Sequence, residues 1–289
     1  MIKLISFALV IRGQLPRWLL TLAVMVCASG VAAAAPFPQV VSADNAKQCN
    51  TALRAARRAT IAGGLTLPLN VFSWNVHKVQ QPAVLAEFAE LANTAHLMFV
   101  QEAVPSRQLP SLVNEALFPA FAAGYVQNGT PTGVLTLART PHLMHCHLLA
   151  LEPWLRSPKA TSVTLYPLID RQERLLAINI HAINFTLGVS DYQNQLAALT
   201  DLITAHDGPI IFGGDLNSWS PARQQVLQHF TSKMGLVAVP FDPDHRVTVF
   251  GRPLDHLYVR GLTWGHTTTH KVTTSDHNPL LATLLSEDS

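Results

Sequence analysis

The chain has 289 residues, of which 48% are hydrophobic and 13% charged, with 20 Lys and Arg against 18 Asp and Glu. Disordered chains are poor in hydrophobic residues and rich in charge, so this composition excludes a disordered protein. A chain of this length can bury a large core, and α/β folds of roughly 200–250 residues often form one domain.

The first 35 residues have the composition of a secretory signal peptide. They contain Lys3, Arg12 and Arg17 but no acidic residue, and an apolar run over 18–26 precedes four alanines at 32–35. A basic start, an apolar stretch and small residues follow one another in this order in signal peptides. The alternative is an uncleaved anchor, but the second half of the stretch is rich in Ala and Gly. We therefore predict a secreted or periplasmic protein, with a membrane-anchored form as the alternative.

Cleavage of this leader changes the charge of the protein. It leaves 17 basic residues against 18 acidic ones, a formal charge of −1 instead of +2. The whole-chain pI of about 8.5 is therefore partly a property of the leader and does not indicate nucleic-acid binding.

Two cysteines lie beyond the leader, Cys49 and Cys146. An oxidising compartment could join them, whereas two unrelated buried thiols are the alternative, and the sequence leaves both open. A soft-metal site around His145, Cys146 and His147 is disfavoured, because alternate residues of a strand face opposite sides of the sheet.

The predicted elements begin with a lead-in over residues 36–68, which contains a short basic helix over 46–60. Helical periodicity then covers 82–93, 189–205 and 221–234. Strand-like apolar runs occupy 69–74, 97–100, 133–137, 160–165, 175–180, 210–212, 254–259 and 280–284. Several middle and late strands follow one another without a helix between them, so we expect mixed or antiparallel sheets rather than wholly parallel ones. No repeat or linker interrupts the region, which predicts one catalytic domain over 69–286.

Polar side chains stand at the ends of six of these strands. They are Asn75, Glu102, His181, Asp215 with Asn217, Asp255, and Asp276 with His277. One polar residue at a strand end is ordinary, but catalytic groups tend to lie on loops held by a rigid sheet, and six such ends favour a shared site.

The residue types at these ends suit phosphoester chemistry. Glu102, Asp276 and the Asn75 carbonyl offer hard oxygen ligands for Mg²⁺ or Mn²⁺. Gly213 and Gly214 would let the backbone approach a ligand closely, and Asp215 with Asn217 could orient a water and a phosphate oxygen.

The imidazoles of His181 and His277 could donate to phosphorus-bound oxygens if a carboxylate such as Asp255 keeps one of them protonated. This set predicts metal-assisted hydrolysis by an activated water.

The same residues resemble a known family. The order Trp-Asn, Gln-Glu, Asn-Ile-His, Gly-Asp-Leu-Asn, Leu-Asp and Ser-Asp-His-Asn-Pro over residues 69–285 is similar to the endonuclease/exonuclease/phosphatase superfamily. This superfamily includes pancreatic-type deoxyribonuclease, base-excision-repair endonucleases, neutral sphingomyelinases and inositol-phosphate phosphatases. The segments 179–185, 250–255 and 275–281 resemble its YafD-like bacterial branch. The resemblance implies a DNase I-like four-layer α/β sandwich, in which two packed mixed β-sheets are flanked by helices.

The resemblance also implies roles for single residues. Asn75, Glu102 and Asp276 match metal-side positions, and Asp215 matches the residue that orients or deprotonates the attacking water. Asn217 matches the phosphate-positioning amide. His277, with Asp255 as its carboxylate partner, matches the imidazole on the scissile phosphate, and His181 matches a second imidazole.

Departures from the family pattern narrow the range of substrates that we expect. His77 stands where repair endonucleases carry an acid, and His181 where they carry a tyrosine, which disfavours abasic-site repair. A deoxyribonuclease needs cations along a duplex, yet the densest cluster, Arg54 to Arg58, lies outside the catalytic region. A small or lipid phosphodiester needs fewer cations, and Arg156 with Lys159 could bind it. The other interpretation of this pair is that both residues lie on a solvated loop.

We therefore predict a metal-dependent phosphoesterase that acts as a monomer without an obligate protein partner, on a small-molecule or lipid-headgroup phosphodiester. One alternative is a secreted non-specific nuclease acting on nucleic acid. Another, of a different class, is a catalytically silent binding or scaffold protein with the same fold.

Overall fold

The computed structural model describes residues 41–59, 63–105, 117–127 and 129–287. The predicted signal peptide, residues 1–35, and the first residues of the predicted lead-in lie outside these ranges. None of the helices in the described ranges is long and apolar enough to cross a bilayer.

Two mixed β-sheets form the centre of the fold, together with a two-stranded hairpin. The seven-stranded sheet has the spatial order β1 (Val41–Ala43), β6 (Met144–Leu151), β7 (Pro158–Pro167), β8 (Arg174–His181), β9 (Ile210–Asp215), β13 (Asp255–Arg260) and β10 (Val237–Ala238). The six-stranded sheet has the order β14 (Leu262–Thr269), β15 (Leu280–Ser286), β2 (Leu69–Asn75), β3 (Leu97–Ala103), β5 (Thr130–Ala138) and β4 (Phe118–Gln127). The hairpin consists of β11 (Thr248–Val249) and β12 (Arg252–Pro253). Both sheets contain parallel and antiparallel pairs, as predicted.

Helices cover the outer faces of both sheets. They are α1 (Ala46–Ala56), α2 (Val84–Thr94), α3 (Ser190–Ala197), α4 (Thr200–Ala205) and α5 (Pro221–Lys233). Leu53 of α1, Leu202 of α4 and Leu227 of α5 pack with the outer face of the seven-stranded sheet. Phe88 of α2 packs edge-on against Phe72 of the six-stranded sheet, with ring centroids 5.5 Å apart. The result is the four-layer α/β sandwich that the family resemblance implies.

A third apolar layer lies between the two sheets. It contains Val71 and Phe99 from the six-stranded sheet together with Ala177, Ile211 and Leu257 from the seven-stranded sheet. Burying each of the Val, Phe, Ile and Leu side chains stabilises the fold by about 1.5–3 kcal/mol, so this layer holds the sheets face to face. Strands from both sheets can therefore present side chains to one common edge.

The N-terminal segment belongs to this framework. Strand β1 pairs in parallel with β6, and Cys49, Leu53 and Ala56 of α1 are buried in the core of the same sheet. Cys49 and Cys146 form a disulfide, with Cα atoms 5.7 Å apart. His145 and His147 lie on the face of β6 opposite Cys146, as predicted. Because Cys146 is in a disulfide, its thiolate is not available to a soft metal.

One buried histidine makes stability depend on pH. His206 Nε2 contacts the carbonyl oxygens of Arg174 and Pro209 at 2.9 and 3.2 Å, and burial lowers its pKa from 6.5 to about 4. The imidazole of His206 takes up a proton near pH 6.5 in the unfolded chain but only near pH 4 in the folded chain. The contribution of His206 to the free energy of unfolding is therefore full above pH 6.5 and is lost as the pH falls toward 4. His206→Gln keeps an N–H donor. On acidification, the free energy of unfolding of this variant should fall by at least about 1 kcal/mol less than that of the wild type.

Urea titrations at a series of pH values between neutral and acidic measure this effect. The matched control is His266→Gln, which changes an exposed histidine on β14. The stability of this variant should depend on pH in the same way as that of the wild type. Parallel curves for the wild type and His206→Gln would contradict the prediction.

Candidate active site

The predicted strand-end residues meet at one edge of the two sheets. Asn75 at the end of β2 lies opposite Gln101 of the parallel strand β3. His181 at the end of β8 lies opposite Asp215 at the end of β9, and Asp255, the first residue of antiparallel β13, lies on the other side of Asp215. Because the ends of neighbouring strands share one edge, side chains far apart in sequence converge there.

These residues surround a cavity of about 460 Å³. Of the predicted site residues, it is lined by Asn75, Glu102, Lys159, His181, Asp215, Asn217, Asp276 and His277. Asp255 lies behind His277 and contacts it directly. Arg156 does not line this cavity: it is exposed, with a φ of 50°, in the turn before β7.

Asp215 is the central carboxylate of the cavity. Its Oδ2 accepts a hydrogen bond from Asn75 Nδ2 at 3.1 Å and lies 3.4 Å from His181 Nε2 and 3.8 Å from His277 Nε2. Its Oδ1 accepts from the backbone N–H of Asn217 at 3.1 Å. Burial raises the pKa of Asp215 to about 6, while the charge on His277 opposes that rise.

His277 and Asp255 form a buried pair beside this carboxylate. His277 Nδ1 donates to Asp255 Oδ2 at 2.7 Å. Burial lowers the pKa of His277, but the charges of Asp255 and Asp215 outweigh it and raise the pKa to about 10. At neutral pH the imidazole is therefore charged, and its Nε2 lies 3.8 Å from Asp215 Oδ2.

His181 differs from His277 in charge. Its Nε2 lies 2.9 Å from Lys159 Nζ, at the start of β7. Burial lowers the pKa of His181 well below its usual value, and the positive charges of Lys159 and His277 lower it further. Of the two predicted imidazole donors, His277 is thus the charged one, and neutral His181 accepts a hydrogen bond from Lys159.

The residues predicted to hold a metal lie at the end of the six-stranded sheet. Glu102 has a φ of 52° where the pairing of β3 with β5 shifts register, which turns its carboxylate into the cavity. Ser275 Oγ donates to the Asn75 carbonyl at 2.7 Å and ties the loop that carries Asp276 to the end of β2. Asn75, Glu102 and Asp276 thus offer one amide and two carboxylate oxygens to the same cavity, a donor set that fits a hard divalent cation.

Lys78 is a cavity residue that the sequence analysis missed. Its Nζ lies 2.9 Å from Glu102 Oε2. Burial lowers the pKa of Lys78, but hydrogen bonding to Glu102 and the charge of that carboxylate outweigh burial and raise it. A single lysine three residues after the Trp-Asn motif gave no signal of this contact, because the contact depends on positive φ values at His77, Lys78 and Val79.

The two glycines before Asp215 allow close packing of neighbouring strands rather than close approach of a ligand. A Cβ on Gly214, whose φ is +133°, would lie 2.1 Å from the Ile180 carbonyl oxygen, and one on Gly213 would lie 2.7 Å from the His256 carbonyl oxygen. Both positions face neighbouring strands, so the prediction that they admit a ligand was wrong. Their role is to let β9 pack closely between β8 and β13.

Buried polar side chains beneath the cavity join the two sheets. Gln101 Nε2 donates to Asn179 Oδ1 at 2.8 Å, and Asn179 Nδ2 donates to the Leu135 carbonyl at 3.1 Å. Gln101 immediately precedes Glu102, and Asn179 lies two residues before His181. This contact fixes β3, which carries Glu102, against β8, which carries His181.

Two more buried residues shape the loops of the cavity. Arg223 of α5 donates to the carbonyl oxygens of Asn217 and Asn184 at 3.1 and 2.7 Å, and Glu152 accepts from the backbone N–H of Asn184 at 2.7 Å. The sequence gave no signal for either residue, because each acts on a loop that is distant along the chain.

Comparison with known proteins agrees with this geometry. The profile of the Endonuclease/Exonuclease/phosphatase family matches residues 72–277, from β2 to His277. The chain belongs to this family. A UPF0294 protein of Yersinia pseudotuberculosis is 42% identical over 217 residues, which cover 74% of this chain and 82% of that protein. UPF0294 proteins are YafD-like, so the resemblance to that branch is confirmed.

Solved structures of this family share its fold. The catalytic domain of human Nocturnin, solved with a bound sulfate anion, is 15% identical with a TM-score of 0.60, covering 78% of this chain and 96% of that one. The mannosyl-6-phosphatase of Bacteroides thetaiotaomicron is 15% identical with a TM-score of 0.55, covering 75% and 99%. Family membership implies a phosphoesterase or nuclease-type hydrolase, and members typically use a divalent metal ion.

Proposed function

We propose that this endonuclease/exonuclease/phosphatase family protein is a divalent-metal-dependent phosphodiesterase acting on a small-molecule or lipid phosphodiester. The observation that carries the proposal is the arrangement around Asp215: a buried carboxylate on the cavity wall, with charged His277 3.8 Å away and Asp255 fixing that imidazole. A base beside a cationic donor is what hydrolysis by water requires, because one group receives a proton while the other stabilises the charge on the phosphoryl oxygens.

In this proposal Asp215 orients the attacking water and accepts its proton. The backbone N–H of Asn217 and the side chain of Asn75 hold the carboxylate in place. His277 donates Nε2–H to a non-bridging phosphoryl oxygen, and the Asn217 amide positions the phosphate. Lys159 places a second positive charge at the cavity and holds neutral His181 by its Nε2.

Asn75, Glu102 and Asp276 would hold Mg²⁺ or Mn²⁺, which would polarise a phosphoryl oxygen and stabilise the leaving oxygen. The side chains of this chain would supply the remaining contacts. The compact Asp215, Asp255 and His277 group, whose ligand atoms lie within 4.8 Å of one another, is less suited to the ion, because Asp255 already accepts from the charged imidazole.

The substrate class follows from the limited positive charge at the cavity. Among the described residues that line it, the Lys and Arg side chains are Lys78 and Lys159, and Lys78 is paired with Glu102. Binding along a duplex depends on many phosphate contacts, whereas one phosphodiester needs few. This supports a small or lipid substrate over a nucleic-acid duplex.

A substrate panel tests the proposal. With Mg²⁺ or Mn²⁺ added, we expect hydrolysis of an aryl phosphodiester, loss of that activity in EDTA, and recovery when excess metal is returned. The panel should contain duplex DNA, RNA, phospholipids, nucleotides and inositol phosphates. Activity that persists in EDTA would contradict metal dependence, and strong turnover of plasmid DNA at moderate salt would contradict the substrate class.

We also propose that the protein is exported and acts as a monomer. The leader-like composition of residues 1–35 and the Cys49–Cys146 disulfide support export, because structural disulfides persist in oxidising compartments. N-terminal sequencing of the exported protein tests cleavage, and a sequence beginning at Met1 would contradict it.

A further inference from the structure

Five large apolar side chains are exposed on loops around the candidate active site. Their exposed fractions are 62% for Trp154, 61% for Leu155, 53% for Phe185, 74% for Leu187 and 77% for Phe250. Single exposed apolar residues are ordinary, but a cluster beside a functional cavity marks an interaction surface. We call these five residues the apolar rim.

The apolar rim is continuous with the cavity. Leu155 and Phe185 line it directly, together with Asp215 and His277. Glu152 joins the loops that carry them, because its Oε1 accepts from the backbone N–H groups of Asn184 at 2.7 Å and Phe185 at 3.3 Å. Apolar side chains of the rim therefore form part of the wall of the cavity that contains Asp215.

Further contacts hold Phe250 and the loop that carries Leu187 in place. Trp219 Nε1 donates to Asn184 Oδ1 at 2.9 Å, and the ring of Phe250 lies 6.3 Å from the ring of Trp219. Arg223 Nη2 donates to Thr186 Oγ1 at 3.2 Å, directly before Leu187. The rim is thus a built surface, in which three loops distant in sequence are fixed side by side.

The charges on these loops are positive. Residues 152–159, 183–189 and 248–253 contain Arg156, Lys159 and Arg252, whereas their single acidic residue, Glu152, is buried. Arg156 is exposed beside Trp154 and Leu155. Apolar side chains interleaved with cations suit a surface that presents anionic headgroups above an apolar layer.

We propose that the apolar rim inserts into an anionic phospholipid layer and presents a headgroup phosphodiester to the cavity. This inference rests on the proposed phosphodiesterase activity and assigns its substrate to membrane lipid. Trp, Phe and Leu bury apolar area at the lipid boundary, while Arg156 and Arg252 remain at the level of the headgroup phosphates. A platform for stacking nucleic-acid bases fits less well, because Leu155 and Leu187 have no ring to stack on.

Sedimentation with vesicles of phosphatidylglycerol and phosphatidylethanolamine tests this inference without catalysis, because the assay is run in EDTA. We expect the full-length protein to bind, more tightly at low salt. The triple variant Trp154→Ser, Leu187→Ser, Phe250→Ser should bind at least about 10-fold more weakly, since burying one such side chain is worth more than 1.4 kcal/mol. The matched control is Val237→Ser, which removes a 55% exposed apolar residue on β10, beside the end of β13 remote from Asp255.

A second readout separates binding from folding. The triple variant should keep the far-UV circular dichroism and melting temperature of the wild type, and the ratio of its activity on vesicle lipid to its activity on a soluble aryl phosphodiester should fall at least about 10-fold.

These experiments distinguish failure of the lipid-docking inference from failure of the proposed phosphodiesterase function. Vesicle binding that depends on the rim, with no hydrolysis of any phosphoester, would support lipid docking and refute the phosphodiesterase. Hydrolysis of the aryl substrate with no vesicle binding, or with equal binding by the triple variant, would overturn the inference. Loss of oligodeoxythymidine binding in the triple variant, with vesicle binding intact, would overturn it in favour of a nucleic-acid surface.

Discussion

Asp215→Asn is expected to lower kcat on an aryl phosphodiester by about 10³-fold or more. The substitution preserves the size of the side chain, but it removes the negative charge that, in the proposed function, orients the attacking water and accepts its proton. General-base catalysis contributes about 10²–10⁴-fold, and the buried setting of Asp215, beside charged His277, makes the charge hard to replace. Steady-state kinetics with saturating Mg²⁺ or Mn²⁺ measure the effect.

Two further variants separate catalysis from general damage. Asp255→Asn should also lower kcat while leaving Asp215 intact, because it removes the carboxylate that holds His277 and favours its charged form. Asp201→Asn changes an exposed carboxylate on α4 and should leave kcat unchanged. If Asp215→Asn and Asp201→Asn had the same kcat, the assignment of Asp215 as the base would be wrong.

Removing the disulfide is expected to lower the free energy of unfolding by about 4 kcal/mol. Cys49 and Cys146 are separated by 97 residues, and cross-linking so long a segment restricts the unfolded chain strongly. The double variant Cys49→Ala, Cys146→Ala keeps both positions apolar, so the loss would come mainly from the missing cross-link. Urea unfolding of the double variant, compared with oxidised and reduced wild type, measures it.

The comparison contains its own control. Reduced wild type should unfold close to the double variant, because both lack the bond, while oxidised wild type should require more urea. If the double variant lost less than about 1 kcal/mol, the attachment of α1 would depend on packing rather than on the disulfide.

Most strands could be predicted because their apolar side chains are buried on both faces. The predicted strand over 175–180 lies within β8, whose residues from Leu175 to His181 are all buried. The missed strands include four of two or three residues, β1, β10, β11 and β12, and three long ones, β4, β6 and β14, that were missed for local reasons. β4 contains Pro119 and Gly124, which weaken a strand pattern, β6 alternates half-buried histidines with buried residues, and β14 has a bulge between Trp264 and Thr267. Their pairing depends on neighbours rather than on their own sequence.

Helix boundaries show the same limit. The predicted helix over 189–205 is two helices, α3 and α4, that meet at Ala198 and Leu199. In contrast, α5 begins where Ser220 accepts from the Arg223 N–H and Pro221 follows, a start that is visible in the sequence.

The candidate site was predictable where a polar residue ends a strand. Asp215, His181 and Asp255 converge because β8, β9 and β13 are neighbours. Lys159 and Arg156 looked equivalent in the sequence, but Lys159 lies on β7 and reaches His181, whereas Arg156 lies in the turn before it. Lys78 and Glu152 could not be found, because each owes its contact to the path of a loop.

The hydrogen bond between Gln101 and Asn179 has a consequence for how the site can move. One sheet supplies His181 and Asp215, and strand ends and loops of the other supply Asn75, Glu102 and Asp276. Sliding of one sheet on the other would therefore pull the residues of the candidate site apart. Such a shift would leave buried amides unpaired, at about 1–3 kcal/mol for each group. The buried hydrogen bond between Gln101 and Asn179 therefore fixes the distance between the two halves of the site. Only the loops around the cavity can move to fit a substrate.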